Sequence, residues 1–244
     1  MNEKAAGFSL SGNALKLIAA VSMVLDHVGV IFFPRAALFR ILGRLAFPIF
    51  AFMIAEGCRF TRSKLRYFGL IAALALLCQS VYTVAMKSAD MCILVSFSLS
   101  VPVIYALQFF KKCLSEPDCP MGRCFVSALA LLFSVLAVYL ISRVAVLDYG
   151  FWGCMCPVFA AILHPVDRSD GSWRADTRIH TLMMCLPLAM VSLQMQWVQP
   201  WSFAAVLLLL LYRGRRGKRN MKYFFYIFYP AHLALLQGLA FVIL

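Results

Sequence analysis

The sequence predicts an all-α fold: a polytopic transmembrane helical bundle of about nine spans, with the N-terminus on the cytoplasmic side. Three observations predict it. The 244 residues are 63% hydrophobic and only 14% charged, and the mean hydropathy is +0.85, whereas soluble domains run nearer half apolar and a quarter charged. The apolar residues come in blocks long enough for a helix to cross hydrocarbon, which takes roughly 20 residues. The basic residues fall in alternate connections between those blocks.

In chain order the blocks cover about 15–34, 38–57, 67–86, 91–110, 124–142, 149–163, 180–197, 201–212 and 223–243, each boundary good to about four residues. The sixth and eighth are short, which suits tilted, protein-buried or re-entrant segments. The first block has no small-residue cleavage site after it and is expected to be retained. The longest polar connection, His164 to Arg178, is too short to fold alone, so residues 1–244 read as a single integral membrane domain.

The connections set the orientation. Arg59, Arg62, Lys64 and Arg66 follow the second block, and Lys111, Lys112 and Arg123 surround the fourth connection. Arg168, Arg174 and Arg178 follow the sixth block, and Arg213, Arg215, Arg216, Lys218, Arg219 and Lys222 follow the eighth. The intervening connections carry little charge. The net charge of +13 therefore reads as a topology signal and not as a nucleic-acid surface. Tyr82, Trp152, Trp197, Trp201 and the aromatic run 223–229 fall near helix ends, as an interfacial belt does.

The nine cysteines give no zinc or redox spacing, and most lie singly in apolar blocks, where Cys behaves as a small hydrophobe. No metal and no essential disulfide is expected.

The chemistry is expected in the first two blocks. Asp26 and His27 lie inside the first, and Arg44 and Glu56 inside the second. Ionisable groups in hydrocarbon cost free energy and mark a working site. His27 precedes the outer end of its helix, and Arg44 follows the outer start of the next, by similar distances of roughly 9 Å of rise. The short connection makes these helices antiparallel neighbours, so His27 and Arg44 share a depth. Asp26 points about 100° away from His27 around the helix, and can instead pair with Arg44. Gly29 allows a close approach. Glu56, at the inner end, is placed to bridge to Arg59. His232 is a second intramembrane histidine, after Pro230. Asp148 opens the sixth span, where a carboxylate either meets an external amine or caps the helix. Such a cluster suits a catalytic site, a proton-coupled transport site or helix-to-helix glue.

Four stretches carry a resemblance: LKLIAAVSMVLDHVGVIFFP (15–34), LFRILGRLAFPIFAFMIAEGCRFTRS (38–63), LDYGFWG (147–153) and LYRGRRGKRNMKYFFYIFYPAHLALL (211–236). In these the chain resembles the TraX family over most of its length, and through it the multi-spanning membrane acyltransferases. The resemblance implies a bacterial cytoplasmic membrane enzyme that moves an acetyl group. The donor would be cytoplasmic acetyl-CoA, and the acceptor an amine or hydroxyl at or beyond the outer face. It places the catalytic role on His27 with Arg44 and Asp26. Glu56, Asp148 and His232 would be supporting binding positions. Arg213, Arg215, Arg216 and Lys218 would meet the CoA phosphates, a task suited to Arg. The expected partners are membrane lipid, the CoA thioester and an extracytoplasmic acceptor. The transporter and scaffold readings stand as alternatives.

Overall fold

The computed structural model describes residues 9–86, 90–164, 177–195, 197–212, 214, 217 and 221–243, without the side chains of 85, 86, 177, 178, 222 and 223. These form α1 (Gly12–Ile31), α2 (Ala37–Gly43), α3 (Ala46–Phe60), α4 (Lys64–Met86), α5 (Ile93–Ser115), α6 (Met121–Val144), α7 (Gly150–Ala161), α8 (Thr177–Met183) and α9 (Cys185–Gln194). A 3-10 turn (Gln199–Phe203), α10 (Ala204–Leu210) and α11 (Lys222–Ile243) complete the order.

Six stretches are long and apolar enough to cross a membrane: Gly12–Ile31, Ala37–Phe60, Lys64–Val84, Ile93–Ser115, Met121–Val144 and Phe224–Ile243. Three further apolar helical stretches, Gly150–Ala161, Ile179–Gln194 and Gln199–Leu210, are shorter. Twelve residues of α7 rise only about 18 Å against a hydrocarbon core of about 30 Å. The short α7 is buried along most of its length, so protein covers what lipid would otherwise meet. Among the described residues the chain is therefore an all-helical membrane protein with six spanning-length helices, and the three shorter pieces coincide with the remaining expected blocks.

Burial orders the helices. α3 lies at the centre, with almost every residue from Ala46 to Ala55 buried, and α6 lies at the rim, exposing Phe125, Leu132, Phe133 and Leu140. In hydrocarbon such faces are covered by lipid, and helix contact rests on close packing and interhelical hydrogen bonds. α5 and α7 show both. Ser100 Oγ donates to the Cys154 carbonyl at 2.7 Å, and Ser96 Oγ to the Asp148 carbonyl at 3.0 Å. α11 closes the bundle against α1 and α4.

The second apolar block is not one straight helix. It breaks at Gly43–Leu45, where the Arg44 amide reaches both Arg40 and Ile41 carbonyls at 3.2 Å. Gly43 lies so close to Asp26 that a side chain there would collide with the Asp26 carboxyl. Gly29 does the same for Phe39, which gives the close α1–α2 approach expected of that residue.

Two bridges pin the ends of the bundle. Leu10 N–H donates to the Leu211 carbonyl at 3.0 Å, at the end that also carries Glu56, Arg59 and Lys111. Met91 N–H donates to the Val146 carbonyl at 2.8 Å, at the opposite end. The first marks the basic end of the bundle. Trp197 and Trp201 are exposed near the opposite end.

Candidate functional site

Near the opposite end, α1, the α2–α3 break, the start of α7 and the 3-10 turn converge on Arg44. Its Nη2 donates to both Asp26 oxygens, at 2.6 and 2.8 Å. Its Nη1 donates to the Tyr149 hydroxyl at 3.1 Å and to Gln199 Oε1 at 3.2 Å, and its Nε to the Arg40 carbonyl at 3.3 Å. A guanidinium has five N–H donors, and all five have acceptors. Arg40 Nη1 adds a bond to Asp26 Oδ2 at 3.3 Å. The pairing of Asp26 with Arg44 is thus as the spacing suggests, while Arg40, Tyr149 and Gln199 were not foreseen. Only the i, i+4 spacing of Arg40 and Arg44 on one face could have pointed to Arg40.

Tyr149 reaches Arg44 because of its backbone. It adopts φ 60°, ψ 11°, a left-handed conformation uncommon outside glycine, and Gly150 follows at φ 59°. Its ring stacks on Phe47 of α3 with centroids 4.1 Å apart. The strained Asp-Tyr-Gly turn thereby fastens the start of α7 to α3. The N-cap of α7 is Tyr149, whose own side chain does not cap the helix, with Asp148 just ahead of it. Burial pushes the Asp148 carboxyl up to about 7, against the opposing pull of Arg44.

His27 faces away from this clamp. Its Nδ1 lies 3.1 Å from Nε2 of His232 on α11, with ring centroids 5.1 Å apart. His232 Nδ1 lies 3.0 Å from the Phe228 carbonyl. A carbonyl only accepts, so His232 Nδ1 carries the proton and its Nε2 is the acceptor. His27 Nδ1–H then donates, which leaves the lone pair on His27 Nε2 unused in this pair. These tautomers are assigned from the hydrogen-bond partners. His27 is half-buried. Phe228 stacks on the His232 ring and Tyr229 meets it edge-on at 5.5 Å.

A cavity of about 650 Å³ opens at the basic end among α1, α3, α4, α5 and α11. Lys16, Arg66, Glu56 and Tyr212 lie along it, with Phe50, Ile71, Leu74 and Phe225 among its apolar walls. It extends as far as Leu94, in the first turn of α5, and Tyr229, the neighbour of His232. Gly214 and Met221 lie on its wall; Arg213, Arg215, Arg216 and Lys218 lie outside the described residues.

Glu56 meets Arg59 at 3.2 Å, as its spacing suggests. It is also bonded by the Tyr212 hydroxyl at 3.1 Å and lies 3.5 Å from His164 Nε2. His164 and His180, which as sequence merely flank a polar connection, face each other with ring centroids 4.8 Å apart.

Helices of spanning length around a part-buried Asp–Arg clamp and a histidine pair define a multi-pass membrane protein with a polar site inside its bundle. The family model described as TraX protein matches residues 11–240. The chain belongs to the TraX family, as the four sequence stretches indicated. A 38-residue segment is 42% identical to the uncharacterized protein RP591 of Rickettsia prowazekii (strain Madrid E). That match spans 16% of this chain and 15% of the relative's length. No solved structure matches.

Proposed function

We propose that the protein is a membrane-embedded acyltransferase of the bacterial cytoplasmic membrane. It crosses nine times, with the N-terminus inside and the basic end cytoplasmic. It takes an acyl group, acetyl by family resemblance, from a CoA thioester and passes it to an amine or hydroxyl at or beyond the outer face. The observation that carries this reading is the His27–His232 pair, one aromatic ring beyond the deep end of a cavity that opens among basic residues.

The lining of the cavity supports a CoA thioester as donor. Lys16 and Arg66, with the basic segment 213–222, offer cations for the CoA phosphates. The apolar walls suit the uncharged pantetheine arm. His27 Nε2 is the general base. It takes the proton from the acceptor amine or hydroxyl as that group attacks the thioester carbonyl, the C–S bond breaks, and the CoA thiolate leaves and is protonated. His232 orients His27 through Nδ1. Arg44, with every donor occupied, is a positioning residue that holds α1 against α2 and α7, and Asp26 is its counter-charge.

The test is transfer of radiolabelled acetyl from acetyl-CoA in proteoliposomes. General acid–base catalysis contributes about 10²–10⁴-fold, so His27→Ala is expected to lower transfer by at least about 100-fold at unchanged protein level. Unchanged transfer would remove His27 from the reaction. Solute uptake driven by a proton gradient without CoA would favour the transporter alternative.

A further inference from the structure

The basic end holds a second polar cluster, on different elements from the histidine pair. Glu56 closes α3, His164 follows α7 and His180 lies in α8. Relative exposures are 4% for Glu56, 2% for His164 and 3% for His180. One ligand atom from each lies within 4.8 Å of the others. His164 Nε2 and Glu56 Oε1 are 3.5 Å apart. Two ligands bound tetrahedrally at about 2.1 Å stand roughly 3.4 Å from each other. Among the described residues, neither ring nitrogen of His164 has a hydrogen-bond partner. A buried imidazole with both nitrogens idle calls for a water, an ion or another ligand.

We propose that Glu56, His164 and His180 form a buried binding site for a transition-metal dication, zinc in the first instance. Two imidazoles and a carboxylate are a common zinc donor set that keeps a fourth position open. The outer partners are in place as well: the Tyr212 hydroxyl on Glu56 Oε2 at 3.1 Å and Arg59 on Oε1 at 3.2 Å orient the carboxylate. Burial, reinforced by the charges of His180, Arg59 and Lys111, holds the His164 pKa well below the usual histidine range, and the neutral ring is the form that ligates.

Arg59 and Lys111 set a condition. Lys111 Nζ donates to the carbonyls of Ile162 and His164, so two cations stand close to the bound dication. The open fourth position therefore favours an anionic ligand. Glu56 and Tyr212 also line the cavity, which gives that ligand a route in. The cysteine spacing pointed away from a metal; these donors come from residues that only folding brings together.

The test uses full-length protein purified in detergent, freed of any affinity tag and stripped with a chelator. Zn(II) is then titrated against a competing indicator. The wild type is expected to bind one equivalent tightly. His164→Ala and His180→Ala are expected to lose that equivalent, and Glu56→Gln to weaken it at least tenfold. His27→Ala is expected to bind as the wild type does, which separates this site from the proposed transfer chemistry. Co(II) on the wild type should give the intense visible absorption of a tetrahedral site. If a variant does not fold, the wild-type stoichiometry and Co(II) spectrum decide alone. Substoichiometric binding, an octahedral Co(II) spectrum, or full binding by a folded His164→Ala protein would overturn the site.

Discussion

Arg44 holds Asp26 by both carboxylate oxygens, 2.6 and 2.8 Å from a single guanidinium nitrogen. The two residues belong to antiparallel neighbours, so the bond sets the depth at which α1 lies against the α2–α3 break. In apolar surroundings a pair of this kind is costly to break. Removing one partner of a buried pair destabilises by about 3–5 kcal/mol. Asp26→Ala leaves Arg40 and Arg44 facing each other without their shared counter-charge. It is expected to lower the melting temperature in detergent clearly, and Arg44→Lys, which cannot reproduce the five-bond geometry, to do so nearly as much. Melting curves that overlay the wild type would show that the clamp is not structural.

Gly43 provides an independent handle on the same contact. A methyl group at this position collides with the Asp26 carboxyl, so Gly43→Ala is expected to separate the clamp while leaving every charge in place. Gly69, where an added Cβ meets open space, serves as the comparison. Gly69→Ala should be neutral or slightly stabilising, because Ala is favoured over Gly in a helix by about 1 kcal/mol. Thermal unfolding of the two variants side by side checks this, and equal effects would argue against a close α1–α2 contact.

His232→Ala removes the acceptor that orients His27 but leaves the proposed base. Acetyl transfer is expected to fall by about 10–100-fold, less than for His27→Ala, within the span of general-base effects. The double variant should be no worse than His27→Ala, since the two act as one unit. Additive losses would assign His232 a separate task.

Asp148 supplies a pH dependence. Its folded carboxyl titrates at about 7 because burial disfavours the charge, whereas an unfolded chain loses that proton near pH 4. The folded state therefore holds the proton more tightly. Its contribution to stability is greatest below about pH 4, falls as the pH rises to about 7, and is flat above. Asp148→Asn is expected to be relatively more stable than the wild type at pH 8 and to lose that advantage at pH 5. Parallel melting profiles for the two proteins across that range would contradict this assignment.

Contacts between neighbours in sequence were largely legible. The short connection after α1 set Asp26 and Arg44 at one depth, and the i, i+3 spacing of Glu56 and Arg59 foretold their bridge. The short blocks were visible because charge alternates around them even where their length falls short. What escaped was everything made by packing distant segments. His27 and His232 are 205 positions apart, and no periodicity links them. Tyr149 depends on a left-handed backbone, and Gln199 on a 3-10 turn placed against Arg44. His164 and His180 border a polar connection, which hides that both turn inward to Glu56. The break at Gly43–Leu45 had a sequence signal that went unread: Pro48 has no N–H to offer the Arg44 carbonyl four residues back, and Gly43 lies at the break itself.

The histidine pair draws one member from the first long helix and the other from the last. A ribosome must therefore deliver the 205 positions that separate them before the two rings can meet. A product that stops before α11 would hold α1 and still lack the partner of His27. On the proposed chemistry, the base on α1 stays without its orienting partner until α11 has joined the bundle.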